Sequence, residues 1–289
     1  MSGVSCVLLW NPLDGKANPQ SFDGLMRKIE LLGGERVGRM HLESAIYFTT
    51  RAKPGCRNFQ VLTSTEYPAS CFVFTDSNTI LVADLAFREF PGYLKHAYQR
   101  KKKLHVEGKG IKYKLGDFVI NFVTLFMGQS AAVKGYLIEV IFEPSCVIHL
   151  CGEVLRAFIT QVLPDLCSAA QDQTSNENLF SQSFHRAVQS GSFDSPGWPS
   201  CLPIPPNVQT DSMSSPLSHA CARLAMAQYA EHINTIRRLF RQQASSSTPN
   251  APASVTPTPV PFTVSSSQPT TAMSDSPQLP ANVSSDPRS

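Results

Sequence analysis

Residues 109–144, KGIKYKLGDFVINFVTLFMGQSAAVKGYLIEVIFEP, decide how the rest of the chain folds. This stretch contains two runs rich in β-branched and aromatic residues, 113–127 and 136–143, and we predict that both are strands. The linker between them begins at Gly128 and ends at Gly135, with small residues between the two glycines. An antiparallel hairpin is the simplest interpretation of this pattern.

The two predicted strands differ in how their faces are buried. The first carries apolar side chains on both faces, since Phe118 and Ile120 alternate with Val119. A strand with one face in water would alternate with polar residues, so we expect a barrel interior on one side and a helix or a partner on the other. In the second strand Glu139 and Glu143 share the face opposite Ile138 and Val140, so we expect only half of this strand to be dry.

The flanking sequence supplies more strands and several amphipathic helices. Periodic apolar positions and helix-stop residues predict the helices, and short β-rich runs separated by turn residues predict the strands. The predicted strands outside the hairpin are residues 4–10, 36–48, 59–64, 70–74 and 79–84, and the predicted helices are residues 21–32, 91–103, 150–163 and 217–243. Mostly sequential strands of this kind indicate an α+β fold, an antiparallel sheet curled into a barrel and flanked by helices.

Length and composition divide the 289 residues into four parts. Residues 1–167 are long enough for one barrel-and-helix core domain. Residues 168–216 are rich in Ser, Gln, Asn and Pro, so we predict a low-complexity, flexible insert. Residues 217–243 form the C-terminal helix, which packs on the core or on a partner. Residues 244–289 are dominated by Pro, Ser and Thr and cannot bury enough apolar surface to offset their ordering entropy, so we predict a disordered tail.

Net charge and cysteine usage exclude few classes of protein. A net charge of +3 does not by itself indicate nucleic acid. The eight cysteines lack the dense spacing of a disulfide scaffold, so we expect free, buried thiols in a cytosolic or nuclear protein. The longest apolar run, residues 118–127, is about half of what a membrane span needs, and we expect no membrane contact.

Residues 65–72, TEYPASCF, resemble the EYPxSCF stretch of the subunit 20 family of the Mediator complex. Further matches follow in order at residues 110–113, 117–118, 127–130 and 139–144, with N-terminal matches at residues 3–7 and 27–33 and a C-terminal match at residues 228–237. The positions that carry the resemblance as structural motif residues are Glu66, Tyr67, Pro68, Ser70, Cys71, Phe72, Gly110, Tyr113, Asp117, Phe118, Met127, Gly128 and Glu139.

The resemblance implies a non-catalytic subunit of the Mediator head module, a nuclear coactivator assembly that bridges activators and RNA polymerase II. It implies a β-barrel flanked by helices and a heterodimer with the related barrel of subunit 18. A segment of subunit 8 would tether that dimer to the head module. The chain would then act on RNA polymerase II only indirectly, through the head module.

Three residue patterns invite a catalytic or metal-site interpretation, and we favour a structural interpretation for each. Cys146, His149 and Cys151 lack a second ligand pair at zinc spacing. The GQSAA run that begins at Gly128 is a broken GxSxG in a hairpin loop rather than a strand-to-helix elbow. Glu43, Glu139 and Glu143 are too few for a metal-dependent hydrolytic tunnel, so we expect Glu139 and Glu143 on a solvated strand face or an interface rim. We predict no catalytic residue, cofactor or metal.

The strongest charge feature is the basic region 95–114. Its centre is the run Arg100, Lys101, Lys102 and Lys103, with further lysines at positions 95, 109, 112 and 114. A solvated helix end beside a basic strand edge accounts for the pattern, and a contact with phosphates or an acidic partner is the functional alternative. A nucleic-acid-binding module is therefore our second hypothesis, although we do not expect direct DNA binding, because single-strand binders interleave exposed aromatic residues with the cations.

The C-terminal helix carries a candidate interface stripe. Its members are Leu224, Tyr229, Ile233, Ile236 and Phe240. The stripe either packs on the chain's own barrel or docks a partner, and burial of each side chain stabilises by roughly 1.5–3 kcal/mol before entropy in both cases.

Overall fold

The computed structural model describes residues 3–10, 19–50, 58–76, 79–164, 181–190 and 216–246. The strands are β1 (Val4–Trp10), β2 (Glu35–Thr49), β3 (Phe59–Ser64), β4 (Ser70–Thr75), β5 (Ile80–Asp84), β6 (Tyr98–Arg100), β7 (Val106–Leu115), β8 (Phe118–Met127) and β9 (Val133–Phe142). The helices are α1 (Pro19–Leu31), α2 (Phe90–Tyr93), α3 (Ile148–Val162), α4 (Gln182–Ser190) and α5 (Pro216–Ser246), with 3₁₀ turns at Leu85–Arg88 and Lys102–Leu104. None of these described helices is long and apolar enough to cross a membrane.

All strands join one antiparallel sheet in the order β1-β9-β8-β7-β2-β3-β4-β5, and β6 pairs with β2 beside this path. The sheet curls into a half-barrel, which confirms the predicted barrel-like α+β fold. The described strands do not close the barrel, because β1 and β5 stand at opposite ends of the hydrogen-bonded order. Helix α5 packs along β1 and also reaches β4 near the other end of the sheet. A helix, rather than a pair of strands, therefore bridges the opening.

Residues 109–144 form parts of a three-stranded meander rather than a single hairpin. β7 ends at Leu115 and β8 begins at Phe118, and Gly116 between them has a φ of +58°. The prediction of one strand over residues 113–127 is therefore wrong, because Gly116 and Asp117 form a two-residue hairpin turn in which glycine accommodates the positive φ. The predicted pairing of the next two strands is confirmed, with Phe118 opposite Phe142.

β8 is dry on both faces, as its sequence predicts. Ile120 and Phe122 lie in a hydrophobic cluster with α1 and α3 on the convex side of the sheet. Val123 and Leu125 lie in a second cluster with α5 on the concave side. β9 is equally dry, since residues 135–141 are all buried. The expectation that only half of β9 is dry is wrong, because α5 covers the face that carries Glu139.

Two glycines in β7 allow side chains of β2 and β8 to pack close to the β7 backbone on the concave side of the sheet. A Cβ on Gly110 would lie 2.9 Å from the carbonyl oxygen of Phe122 and 3.1 Å from the side chain of Val123. A Cβ on Gly108 would lie 3.1 Å from that of Leu42. Glycine inside a strand commonly marks such a close approach, and here it leaves room for the core under α5.

The helix predicted over residues 91–103 is wrong. Helix α2 ends at Tyr93, and β6 pairs with the end of β2. The ring of Tyr98 packs edge-on against Phe59 at 5.0 Å, whereas Tyr93, within the predicted helix, is 77% exposed. Strand pairing and aromatic packing outweigh the helix propensity of this stretch, so the basic run 100–103 does not lie at the end of a helix.

A helix lies inside the segment predicted as a flexible insert. In α4, Phe184 and Ala187 are buried, and the helix contacts both α3 and α5. Gly152 of α3 permits this contact, because a Cβ there would lie 2.6 Å from the side chain of Val188. The insert prediction therefore missed α4, while residues 168–180 and 191–215 lie outside the described residues. So does the predicted tail, apart from residues 244–246, which continue α5.

Candidate functional site

The motif residues 65–72 form the turn between β3 and β4 and the start of β4. The amide of Tyr67 donates to the carbonyl of Ser64 at 3.0 Å, and the amide of Ser70 donates to the carbonyl of Tyr67 at 3.1 Å. These bonds turn the Tyr67 ring inward, where it meets Phe72 edge-on at 5.4 Å. Pro68 stays exposed, whereas Ser70, Cys71 and Phe72 are buried.

The remaining motif residues occupy the ends and the covered faces of β7 and β8. The Tyr113 hydroxyl donates to Glu30 of α1 at 2.8 Å, and the Phe118 ring stacks on Phe158 of α3 at 3.8 Å. The carbonyl of Asp117 accepts from the amide of Glu143 at 3.1 Å. Met127 is buried, and Gly128 takes a φ of +66° at the end of β8. These positions fix turns and helix contacts rather than a reactive centre.

Glu139 lies in the interior, between the sheet and α5. The side-chain amide of Asn121 donates to its Oε2 atom at 2.8 Å, and the Tyr229 hydroxyl donates to the same oxygen at 2.9 Å. Burial raises the pKa of Glu139 to about 7, although the Asn121 hydrogen bond acts in the opposite direction. The prediction that Glu139 lies on a solvated strand face or interface rim is wrong, because α5 covers this face.

An ion pair lies near the same interior carboxyl. Glu66, from the turn after β3, pairs with Lys112 of β7, and their side chains are 8% and 13% exposed. Lys112 stands opposite Asn121 in the sheet, and the charge of Glu66 contributes to the raised pKa of Glu139. We call Glu66, Lys112, Asn121, Glu139 and Tyr229 the interior polar cluster. It fixes α5 and the motif turn to one part of the sheet.

Side chains of α5 complete the hydrogen bonding of the edge strand β1. Gln228 accepts from the amide of Val7 at 2.9 Å and donates to the carbonyl of Ser5 at 2.9 Å. His232 Nε2 donates to the carbonyl of Val7 at 3.0 Å, and burial lowers the pKa of this ring. The helix therefore takes the place of a neighbouring strand along β1 and protects this edge from other chains.

Arg237 fixes the C-terminal half of α5 to β2. Its Nε donates to the carbonyl of Leu104 at 2.9 Å, and its Nη2 donates to the carbonyl and the hydroxyl of Ser44 at 3.0 and 2.9 Å. Nη1 donates to Asn234 at 3.0 Å. Burial lowers the pKa of Arg237 to about 10, which leaves the side chain charged at neutral pH.

The candidate interface stripe lies in the chain's own core. Leu224, Tyr229 and Ile233 are fully buried and Ile236 is 4% exposed. Phe240 is partly buried, with the Lys134 ammonium 5.5 Å from its ring centre. The assignment of this stripe to a partner interface is therefore wrong for the four buried residues, and packing on the chain's own sheet is what the structure shows.

The polar residues on the same face of α5 escaped the sequence analysis. Gln228 and His232 are four residues apart and fall beside Tyr229 and Ile233, within the buried face. Helical periodicity places them there, and polar groups inside a dry face need hydrogen-bond partners. The need for partners could have identified Gln228 and His232 as functional. The sequence does not show which backbone groups would serve as those partners.

The cations of the basic region 95–114 do not form one surface. Arg100 pairs with Glu43 at 3.2 Å, and Arg88 pairs with the same carboxylate at 2.9 Å. Lys109 pairs with Glu107 at 3.2 Å and Lys114 with Glu143 at 2.9 Å, while Lys112 belongs to the interior polar cluster. Carboxylates therefore pair with four of the eight Lys and Arg residues in this region.

The other members of the basic run are exposed. Lys101 lies 6.0 Å from the centre of the Phe48 ring. Lys102 and Lys103 lie in the 3₁₀ turn that precedes β7, and both are exposed, as is Lys95. Within the described residues, none of these four lysines forms an ion pair.

The cysteine and serine patterns occupy structural positions. Cys151 is buried in α3, His149 is exposed, and Cys146 accepts at its carbonyl from the Cys221 thiol at 3.4 Å. Burial raises the pKa of Cys221 to about 12, which disfavours the reactive thiolate. Ser130 lies exposed in the turn between β8 and β9. Across the described ranges, no group of three or more His, Cys, Asp or Glu is placed to hold a metal ion.

A groove of about 750 Å³ opens on the convex face of the sheet, beside α1. The residues along it come from α1 and from β2, β7, β8 and β9, together with Thr65 of the turn after β3. Its apolar members include Met26, Ile111 and Phe126, and its charged members include Arg36 and Arg39. We call this feature the convex groove. Sequence analysis did not identify it, because its residues are scattered over five elements.

Residues 1–234 match the family described as "TATA-binding related factor (TRF) of subunit 20 of Mediator complex". Mediator of RNA polymerase II transcription subunit 20 from Homo sapiens is 31% identical over 166 residues, which cover 56% of this chain and 77% of that protein. The Gallus gallus protein of the same name is 32% identical over 162 residues, or 54% and 75% of the two chains. The Aedes aegypti protein is 29% identical over 151 residues, or 51% and 68%.

One similar solved chain belongs to the "Structure of the Schizosaccharomyces pombe Mediator head module". Its TM-score is 0.28 and its identity 8%, with 49% of this chain and 82% of that chain covered.

Proposed function

The chain belongs to the Mediator subunit 20 family, and we propose on this premise that it is a non-catalytic, structural subunit of the Mediator head module that supports transcription by RNA polymerase II in the nucleus. The family match carries the proposal. It spans residues 1–234, which include the whole described sheet and more than half of α5.

The packing of α5 supports a structural rather than a catalytic role. The interior of a curled sheet is a common place for a ligand pocket. Here α5 fills that space, with Tyr229 and Ile233 fully buried. Its polar side chains Gln228 and Arg237 bond mainly to backbone groups of the same chain. An interior filled in this way favours a rigid scaffold whose function depends on its surface.

The proposed partner is a second barrel subunit, the Mediator subunit 18 homologue, which would connect the chain to subunit 8 and the head module. Support comes from the family resemblance. The sheet adds one suitable feature, because β5 has a single neighbour, β4, in the described strand order. An edge strand of this kind can pair with a strand of another protein.

Co-expression tests the pairing. The full chain and the subunit 18 homologue are purified together and analysed by size-exclusion chromatography with light scattering at about micromolar concentration, where a specific complex of standard size is populated. We expect a one-to-one complex, and an unrelated barrel protein co-expressed in the same way should not co-elute. Two separate monomer peaks would contradict the proposed pairing.

The alternative function, nucleic-acid binding through the basic region 95–114, is less well supported by the geometry. Arg100, Lys109, Lys112 and Lys114 already pair with carboxylates. Salt-dependent binding to duplex DNA that is lost on reversing the charges of residues 101–103 would favour this alternative. Absence of binding at low salt would exclude it.

A further inference from the structure

The convex groove joins an apolar floor to a rigid aromatic base. The floor consists of Met26, Ile111 and Phe126, which are only partly buried, together with Val133, which is 39% exposed. Beneath it, aromatic rings from α1, β8 and β9 pack on one another. Those rings belong to Phe22, Phe122 and Tyr136, with centroid distances of 4.3 Å between Phe22 and Tyr136 and 5.5 Å between Phe22 and Phe122. The floor is therefore fixed before any ligand arrives.

The rim of the convex groove is basic. Arg36, Arg39 and Lys109 line it, and Asp23 is the one acidic residue in the described lining. Within the described residues Arg36 and Arg39 form no ion pair. Lys109 shares Glu107 with His41, and its ammonium lies 5.6 Å from the Phe126 ring centre. Positive charge therefore adjoins the exposed apolar floor.

We propose that the convex groove binds a short, acidic, amphipathic segment of a partner protein. Apolar side chains of the segment would cover Ile111, Phe126 and Val133, since burial of half-exposed apolar area favours association. Carboxylates on its other face would meet Arg36 and Arg39, whose guanidinium groups suit carboxylate partners. A volume of about 750 Å³ accommodates a few anchoring side chains of a helix laid in the groove. This contact is additional to the proposed scaffold role and does not depend on the pairing of two barrels.

Fluorescence anisotropy of the full chain tests the proposal with a labelled synthetic peptide. The probe carries Leu and Phe at helix positions i, i+3, i+4 and i+7, with Asp and Glu at the other positions. A matched peptide carries Lys in place of every acid. We expect binding of the acidic probe with a Kd in the micromolar range at physiological salt, and at least about ten-fold weaker binding of the basic peptide. Equal binding of both peptides, or no binding of the acidic probe, would overturn the proposal.

Matched charge reversals locate the binding surface. The triple variant Arg36→Glu, Arg39→Glu, Lys109→Glu should weaken binding of the acidic probe by about ten-fold or more. The control triple variant Lys101→Glu, Lys102→Glu, Lys103→Glu makes the same change in net charge outside the groove. It should change the affinity by less than about two-fold. Equal losses in both variants would mean non-specific attraction and would overturn the proposal.

An apolar substitution tests the floor separately. Val133→Asp should also weaken binding of the acidic probe by about ten-fold, because the charge would lie on the surface that the apolar anchors cover. Far-ultraviolet circular dichroism confirms that each variant is folded before its affinity is interpreted. An unchanged affinity in folded Val133→Asp would contradict the assigned floor.

Two measurements separate this proposal from the barrel pairing and from binding of the chain's own tail. The groove triple variant should still co-purify with the subunit 18 homologue. Loss of that complex would identify the groove as the barrel interface and overturn the peptide proposal. If the chain still forms the complex but does not bind the peptide, the proposal of peptide binding in the convex groove is refuted and the barrel pairing is not. A rise in affinity of about ten-fold or more on removing residues 247–289 would identify the tail as the occupant and also overturn the proposal.

Discussion

Replacing Glu139 by glutamine tests the buried carboxyl at the centre of the interior polar cluster. The variant keeps the shape of the side chain and an acceptor oxygen for Asn121 and Tyr229. Burial raises the pKa of Glu139 from its ordinary value of 4.5 to about 7. A carboxyl with a higher pKa in the folded chain binds its proton more tightly there than in the unfolded chain. Its contribution to stability is therefore full below pH 4.5 and is lost as the pH rises through 7.

The size of the effect follows from this pKa. At about 1.36 kcal/mol for each pKa unit, the rise from 4.5 to about 7 corresponds to about 3 kcal/mol in the free energy of unfolding, and most of this is lost between pH 5 and pH 8. The amide of Glu139→Gln does not ionise. The variant should be close to the native protein in stability at pH 5 and about 2–3 kcal/mol more stable at pH 8.

Urea unfolding followed by circular dichroism at pH 5, 6, 7 and 8 measures this difference. The other titratable groups, His105 and His232 among them, are present in both proteins, and their contributions cancel in the comparison. Glu143→Gln is the control, because Glu143 is partly exposed and pairs with Lys114, and its effect should stay within about 0.5 kcal/mol of zero at every pH. A difference between the native protein and Glu139→Gln that does not change from pH 5 to pH 8 would refute the reasoning.

Three further substitutions test how α5 and the sheet fit together. Arg237→Ala removes the hydrogen bonds to Leu104 and Ser44 and should lower the free energy of unfolding by about 3–5 kcal/mol in urea, whereas Arg238→Ala should cost less than about 0.5 kcal/mol. Gly110→Ala should cost about 1–3 kcal/mol because its Cβ would lie 2.9 Å from a backbone oxygen. Gly24→Ala, in a helix with nothing within 4 Å of the added Cβ, should stabilise by about 0.5–1 kcal/mol in the same assay. Gln228→Leu should accelerate hydrogen exchange of the β1 amide that it accepts from, as measured by mass spectrometry, and unchanged exchange would contradict the assigned cap on β1.

The sequence predicts most of this fold because local patterns set most of its elements. Continuous apolar runs identify β8 and β9, helical periodicity identifies α1, α3 and α5, and turn residues separate β3, β4 and β5. The turn at Gly116 was missed because Leu115 and Phe118 continue the β pattern on both sides of it. Residues 98–100 were assigned to the helix predicted over residues 91–103 because their strand pairing with β2 lies outside any local window.

The candidate surfaces were harder to predict, because they depend on contacts between distant residues. The partner of Arg100 is Glu43, 57 residues earlier, so a run of four cations in the sequence becomes one neutralised side chain and three exposed ones. Glu139 alternates with apolar residues as a half-wet strand would, and only the position of α5 shows that it is buried. The convex groove has no sequence signature, since five separate elements contribute to it.

Membership of a Mediator assembly is tested most directly by recovering the full chain from cells. The tagged chain, expressed at its native level, is purified from nuclear extract, and its partners are quantified by mass spectrometry. A structural subunit of the head module should recover the subunit 18 and subunit 8 homologues in near-equal amounts, together with other Mediator subunits. Recovery of the chain without Mediator subunits, under conditions where a tagged known subunit recovers the complex, would contradict the account.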